Sequence, residues 1–442
     1  RIASWLDADL LPVVPTRGSL GASGDLAPLA HLFLPLLGRG QMLADGRVRP
    51  AAEALRAAGL APLPLAEKEG LALINGTQFM SAYAANICVR AARLADVADL
   101  VASMSIEGLR GSVRPFDERL HALRPHPGAL AVAARVRRYL AGSAIMASHA
   151  DCDRVQDPYS LRCVPQVHGA FRDGLAFARG VVECEINSVT DNPVLFEGPE
   201  AISGGNFHGA PLALVLDLLA IALTDLASIS ERRIYLLLEG LDGLPKLLMR
   251  ETGLNSGFML PQYTAAALLN ECKVLSTPAS IDTIPTSLGQ EDHVSMGATA
   301  ALKGWEVLDR AARARPRAAR RARHRPRPDQ PRRAGSRAGA GHRGCAGAAA
   351  RQRRAARRGR RTAIGGLTDG DDSGQALARR VCRPGAGRVL SRDRGGAGTG
   401  GRRPRLRPQR GGRHGLPRGG GGRRVARALS RSAARALPRI HR

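Results

Sequence analysis

A chain of 442 residues with a formal net charge of +28 has the overall balance of a nucleic-acid binder. Position removes that impression: 39 of the 66 basic and 5 of the 38 acidic residues lie in 311–442, so that segment carries +34 and residues 1–310 carry −6. The first 310 residues therefore read as a mildly acidic globular core, and a basic nucleic-acid face is excluded as its defining feature. In chain order, helix signals dominate. Asp25 reads as the N-cap of a helix running to Leu37. Gly38–Pro50 is an excursion with Asp45-Gly46 as a hairpin turn, and Pro50–Ala58 starts a short helix at its proline. Thr77 reads as the cap of a long alanine-rich helix to Leu109, stopped by Gly111. Further helices are expected over Gly128–Leu140, Pro165–Ser188, Pro211–Leu238, Pro261–Leu275 and Gly289–Leu308. The polar stretch Ser148–Val164 and the segments Asp191–Gly209, Gly240–Gly257 and Thr277–Leu288 read as loops. The fold class expected is mainly α, a bundle of long parallel and antiparallel rods.

No uninterrupted apolar run of membrane-spanning length occurs. The run from Ala210 to Leu223 is broken by Asp217 and reads as a helix buried within the bundle. Seven cysteines without CxxC spacing, and no visible signal peptide, point to a reducing cytosol without structural zinc. From 311 onward the chain has no Phe, Tyr, Trp, Lys, Asn, Met or Glu and is mostly Arg, Ala, Gly and Pro. Such a composition buries no core and is expected to be disordered. Two origins compete: an Arg/Gly-rich nucleic-acid tail, or out-of-frame translation of a GC-rich gene after a frameshift near Asp309–Arg315. The second is preferred, because the tail lacks the lysines, aromatics or repeat grammar of a functional one. The domain organisation expected is therefore a core over 1–310 and a tail over 311–442.

The chemistry centres on Ala22-Ser23-Gly24, within Gly18–His31. Gly24 has no side chain, so its nitrogen can approach the Ala22 carbonyl closely. Attack there closes a five-membered ring. Loss of that water and of a second from Ser23 leaves an exocyclic methylidene on an imidazolone, an electrophile made from backbone. Taken alone, Ala-Ser-Gly is a common loop leading into a capped helix. The flanks decide otherwise. The run from Val14-Pro15 to Ala30-His31 closely resembles the signature of the aromatic amino acid ammonia-lyases, the histidine and phenylalanine ammonia-lyase family. The resemblance continues in blocks to about Trp305. It implies a long-helix bundle of the ammonia-lyase/fumarase type. It also implies a 4-methylidene-imidazol-5-one formed autocatalytically from Ala22, Ser23 and Gly24, with no metal or dissociable cofactor.

Four further blocks carry the likeness. In Ile74-Asn75-Gly76-Thr77-Gln78, Asn75 reads locally as a turn residue, and the resemblance gives it the positioning of the prosthetic group and the substrate amine. In Gln156–Cys163, Arg162 is a fixed fork for an α-carboxylate. There Tyr159 is a hydrogen-bond donor or proton shuttle, and Gln156 orients the prosthetic ring. His168, in the helix start that follows, reads as a packed residue rather than a base. The Asn187–Pro193 and Ser203–Gly209 blocks are turns. The resemblance places Phe207 against the substrate ring and Asn192 near the site. Finally, Glu291 in Gln290–Met296 reads as a carboxylate in the first turn of a helix. It resembles the histidine-specific branch of the family, whereas branches acting on phenylalanine or tyrosine carry an amide. A carboxylate pairs with an imidazole but would be left unpaired against a phenyl ring.

The reaction implied is elimination of ammonia from L-histidine to give trans-urocanate, the first step of histidine degradation. Helix N-termini pointing into the site would favour its electron-rich transition state. The resemblance further implies a cytoplasmic homotetramer with active sites shared between subunits. It also implies about a hundred preceding residues, with a catalytic Tyr among them, so the chain as given reads as a fragment whose activity is in doubt. The alternatives are a phenylalanine or tyrosine lyase or aminomutase of the same family, and a non-enzymatic Arg-rich nucleic-acid binder.

Overall fold

The structure is a computed structural model and describes residues 1–150, 154–198 and 200–314. The expected tail over 311–442 thus falls almost wholly outside the described residues. The helices in chain order are Ile2–Asp7 (α1), Leu26–Phe33 (α2), Ala51–Ala57 (α3), Glu69–Ile74 (α4), Gln78–Gly108 (α5), Glu118–Ala122 (α6) and Pro127–Leu140 (α7). Ala144–Ala147 (α8), Tyr159–Arg162 (α9), Val164–Glu185 (α10), Ala210–Leu238 (α11), Met259–Leu275 (α12) and Gly297–Arg313 (α13) follow. The strands Leu11–Pro12 (β1), Gln41–Ala44 (β2) and Arg47–Pro50 (β3) form a small antiparallel sheet in the order β1-β2-β3. Asp45 and Gly46, both at positive φ, make the β2–β3 turn, as their sequence predicts.

Two long rods, α5 and α11, run through the bundle. α11 packs against α5, α10, α12 and α13. Leu212, Leu216, Leu219 and Leu223 recur on its inner face at helical spacing. They are fully buried against Ile87 and Leu94 of α5, Phe171 of α10 and Val307 of α13. Burying each such leucine contributes roughly 1.5–3 kcal/mol. α11 is long and apolar enough to cross a membrane by length and composition, but here it is the central helix of the bundle. Its interrupting Asp217 is matched: Oδ2 accepts from the backbone of Ala279 and Ser280, each at 2.8 Å, and Oδ1 faces Lys303 Nζ at 3.1 Å.

Nearer the other end of α5 lies a buried ionic knot. Asp99 accepts from His168 Nδ1 at 2.8 Å and also contacts Arg172 and Arg135. Burial alone would raise Asp99, but the hydrogen bond from His168 and the Arg172 guanidinium hold its carboxyl below the usual carboxylate range. Burial pushes His168 down to about 4. It is therefore a neutral packed histidine at physiological pH, as its sequence context suggested.

Two capping expectations are corrected. Asp25 does not cap its own helix. Its Oδ2 instead accepts from the Met80 backbone N–H in the first turn of α5 at 3.1 Å, and its Oδ1 from Ser19 Oγ at 2.8 Å. Thr77 makes no cap bond; its hydroxyl donates to Glu185 at the end of α10, 2.6 Å away. A tertiary carboxylate has replaced the local hydroxyl as the partner of the α5 N-terminus. The last helix also differs. It begins at Gly297, not Gly289, because Gln290–Met296 pairs elsewhere. Thr286 and Glu291 form a bridge, Val294 N–H donates to Thr283 Oγ1, and Met296, at φ 53°, donates to Leu20 O. Glu291 is a loop residue rather than a first-turn carboxylate.

Candidate active site

The candidate residues fall into two clusters, one at each end of α5. The first surrounds Ser23. The backbone doubles back there, with Ala22 and Gly24 paired as an isolated bridge. Gly24 sits at φ +71° against Asn75-Gly76, so close that a Cβ would fall 2.3 Å from the Gly76 carbonyl oxygen. Only glycine fits there. Asp25 N–H donates to that same oxygen at 2.8 Å. On the other side, Ser295 Oγ donates to Gly21 O at 3.1 Å. The loop is thus clamped between the start of α5 and the start of α13.

The half-buried Ser23 finds its hydroxyl's partner far away in sequence. It donates to Glu291 Oε1 at 2.8 Å, while Thr286 Oγ1 holds Glu291 Oε2 at 2.7 Å. Asn75 is buried close by. Its Nδ2 donates to Asp191 Oδ1 at 3.0 Å and to Asn192 O at 2.9 Å, and Lys68 Nζ lies 2.8 Å from Asp191 Oδ2. Both amide hydrogens of Asn75 are therefore committed, and its oxygen is the atom left to accept from a ligand. Asn192 uses its side-chain oxygen to hold Gly204 N–H at 2.6 Å, so it shapes the wall of the site. Phe207 lies half-buried on the turn before α11, next to His208, whose Nε2 reaches His293 O at 3.0 Å. The N-termini of α2, α5, α11 and α13 all open at this end. Their dipoles make it a favourable place for negative charge to develop.

The second cluster holds Gln156, Tyr159 and Arg162. Arg162 Nε donates to Asp157 O and its NH2 group to Gln156 Oε1, both at 2.9 Å; its guanidinium lies 4.6 Å from the centre of the Tyr159 ring. Asp157 is anchored by Ser112 N–H, 2.6 Å away, just past the end of α5. Tyr159 is 71% exposed. A cavity of about 570 Å³ opens here, lined by Arg110, Ser112, Arg154, Gln156 and Arg162 among others. With 31 residues in α5, a rise of 1.5 Å per residue sets the two clusters about 46 Å apart. Within one chain they do not meet.

The family model described as "Aromatic amino acid lyase" matches residues 1–314. The chain belongs to the aromatic amino acid lyase family. Among its relatives, the histidine ammonia-lyase of Myxococcus xanthus is 56% identical over 306 residues, which is 69% of this chain and 60% of that protein. The histidine ammonia-lyase of Deinococcus radiodurans is 59% identical over 310 residues, 70% of this chain and 59% of the relative. Of solved structures, histidine ammonia-lyase from Trypanosoma cruzi matches with TM-score 0.64 and 44% identity, over 70% of this chain and 59% of that one. Tyrosine aminomutase from Streptomyces globisporus matches with TM-score 0.66 and 39% identity, over 70% and 62%. The chain spans about 60% of the length of the curated relatives it matches.

Lys68, Asp191 and Thr286 were not singled out from sequence. Lys68 and Thr286 lie in runs with no local signal. Asp191 is hidden in an Asp-Asn-Pro stretch that reads equally well as a turn.

Proposed function

We propose that this chain carries the core of a histidine ammonia-lyase, eliminating ammonia from L-histidine to give trans-urocanate in histidine degradation. The observation that carries the reading is the Glu291 carboxylate, 2.8 Å from the Ser23 hydroxyl. The carboxylate that suits an imidazole is turned towards the proposed electrophile precursor. Relatives named histidine ammonia-lyase, at 54–59% identity, support the same substrate.

The residues at Ala22-Ser23-Gly24 fit a cyclised 4-methylidene-imidazol-5-one: the backbone is folded back, and the Gly24 position has no room for a Cβ. When formed, that group supplies the electrophile for the reaction; no metal is invoked. The chain's own side chains do the rest. Asn75 presents its amide oxygen to the substrate ammonium, fixed by Asp191 and, through it, Lys68. Phe207 flanks the substrate ring and Glu291 pairs with the imidazole. Arg162 forks the α-carboxylate. Tyr159, stacked on it, donates to the substrate or shuttles a proton, and Gln156 holds the guanidinium and orients the prosthetic ring. The helix N-termini around Ser23 stabilise charge developing in the transition state.

Because Arg162 and Ser23 lie at opposite ends of α5, the reading requires that a second copy bring its Arg162 cluster to the Ser23 end. A homotetramer with shared sites meets this requirement. The exposed stripe Leu214, Leu218 and Ile221 on α11 offers an apolar face for such assembly. The free cysteines Cys88, Cys163, Cys184 and Cys272 fit a cytoplasmic setting. The test is product formation. Urocanate from histidine supports the reading, and cinnamate or coumarate from phenylalanine or tyrosine would transfer it to the sister branch. Ser23→Ala is expected to keep the fold and lose nearly all turnover; full activity in that variant refutes the mechanism.

A further inference from the structure

We propose that Lys68 is a positioning residue of this site: through Asp191 it decides that Asn75 offers its amide oxygen, and not its amide nitrogen, to the substrate ammonium. The inference rests on the reading of Asn75 as the acceptor for that ammonium. Lys68 and the buried Asn75 bracket α4, a helix of six residues. Both reach the same carboxylate. Asp191 Oδ2 takes Lys68 Nζ at 2.8 Å, and Oδ1 takes Asn75 Nδ2 at 3.0 Å and the Asn192 backbone N–H at 2.7 Å. The second acceptor of Asn75 Nδ2 is Asn192 O, at 2.9 Å. An amide turned over by 180° would set its oxygen against a carboxylate and a carbonyl, neither of which can donate. Its NH2 group would then meet the ammonium, donor against donor. The useful orientation therefore lasts only while Asp191 stays in place as an acceptor. Lys68 holds it from the far side. The same ion pair matches the charge of Asp191, so the ammonium meets the neutral amide and not a bare carboxylate.

The local backbone gives an independent reason to look for a task here. Lys68 stands at φ 69°, ψ −26°, a conformation that glycine adopts freely and other residues only at a cost. It is also the residue at the N-terminus of α4, where a cation opposes the helix dipole, and its side chain makes no cap bond. On local grounds glycine, serine or asparagine would serve this position better. Lysine breaks three local preferences at once, and the one thing it alone brings is an ammonium on an arm long enough to reach Asp191. A residue that conflicts with its own backbone while completing a chain of contacts to a candidate ligand group is what a positioning role predicts.

Binding is read apart from turnover. In the full chain carrying Ser23→Ala, which cannot form the electrophile, L-histidine affinity is measured by titration calorimetry with Lys68 intact and with Lys68→Met, Lys68→Arg and Lys68→Gly. Circular dichroism and urea midpoints establish that each variant is folded. Lys68→Met is expected to weaken binding about 10-fold or more, and Lys68→Arg to keep most of the affinity. Lys68→Gly relieves the backbone, so it is expected to resist urea at least as well as Lys68→Met and still to bind as weakly. In chains that also carry Asn75→Ala, Lys68→Met is expected to cost nothing further. With Ser23 restored, the peptide containing Ala22–Gly24 is expected to become two waters lighter with or without Lys68, while kcat/KM for urocanate formation falls about 10²-fold in Lys68→Met. Undiminished affinity in folded Lys68→Met and Lys68→Gly overturns the proposal and leaves the lyase reading standing. An equal loss in the Asn75→Ala background overturns it too, because Lys68 would then act by another route. Water loss that occurs only with Lys68 present would make it a residue of electrophile formation and likewise overturn the proposal. No binding of L-histidine with Lys68 intact overturns the histidine reading and this proposal with it. If Lys68→Met does not fold, Lys68→Gly and Asp191→Asn carry the comparison: undiminished affinity in both overturns the proposal, and weakened binding in either folded variant supports it.

Discussion

Chains carrying Ser23→Ala and chains carrying Arg162→Ala are each expected to be inactive as lyases, yet to regain activity when co-expressed. The reason is the length of α5. Asn75-Gly76, against which the Ser23 loop packs, lies at its start, and Ser112, which anchors Asp157 beside Arg162, lies just past its end. Thirty-one residues of helix separate them by about 46 Å, far beyond the span of one amino acid substrate. On the proposed function, a working site takes its Ser23 cluster from one copy and its Arg162 cluster from another. In hybrids assembled at random from equal amounts of the two variants, about a quarter of the sites receive both intact clusters. The assay is urocanate formation by affinity-purified hybrids carrying one tag on each variant, compared with each parent. Recovery near a quarter of the wild-type rate is expected. Recovery no greater than the sum of the parents would show that both clusters serve one chain, and would refute the argument from α5.

Three further outcomes follow from the geometry. Gly24→Ala sets a Cβ 2.3 Å from the Gly76 carbonyl at φ +71°; the loop must shift, costing about 1–3 kcal/mol, and the peptide mass should show impaired maturation. Asp25, raised by burial from 3.8 to about 6, gives a pH signature. Below pH 3.8 both folded and unfolded forms are protonated and the group is neutral to stability. As pH rises to about 6 the unfolded state ionises first, so this group lowers stability by roughly 3 kcal/mol. Urea midpoints of Asp25→Asn minus wild type should rise across that window, and a flat difference would contradict the burial argument. Asp99→Asn removes the counter-charge of Arg172 and of the fully buried Arg233, whose guanidinium burial already pushes down to about 9. A loss of about 3–5 kcal/mol in chemical denaturation is expected.

The long rods were legible because apolar residues recur at helical spacing over two to eight turns, and that signal survives any tertiary context. α5 and α11 end within a residue or two of where Gly111, Thr77 and Pro211 suggest. Local chemistry also singled out residues that the fold then groups in space. Asn75, Glu291 and Phe207 gather at the Ser23 end, and Gln156, Tyr159 and Arg162 gather at the other. The failures occur where a short polar signal had more than one partner available. Asp25 and Thr77 both look like caps for the helices they precede, but a carboxylate brought in from another segment took the α5 amide, and Thr77 turned to Glu185. Carboxylates suit a helix start, so Gln290–Met296 reads as helix. Backbone pairing of Glu291 with Thr286 and of Met296 with Leu20 makes it a loop.

The sequence by itself determined the helical class, the candidate tripeptide Ala22-Ser23-Gly24 and the residue types proposed around it, because these depend on spacing and on the chemistry of single side chains. Only the tertiary structure decided who meets whom. Ser23 and Glu291 are 268 residues apart, and no local rule links them; they meet because the starts of α5 and α13 clamp the Ser23 loop. Likewise Ser23 and Arg162 look like members of one site in sequence, and a rigid rod keeps them at opposite ends of the chain's fold. Hydrogen bonds and helix length, which act in space rather than along the chain, made both decisions.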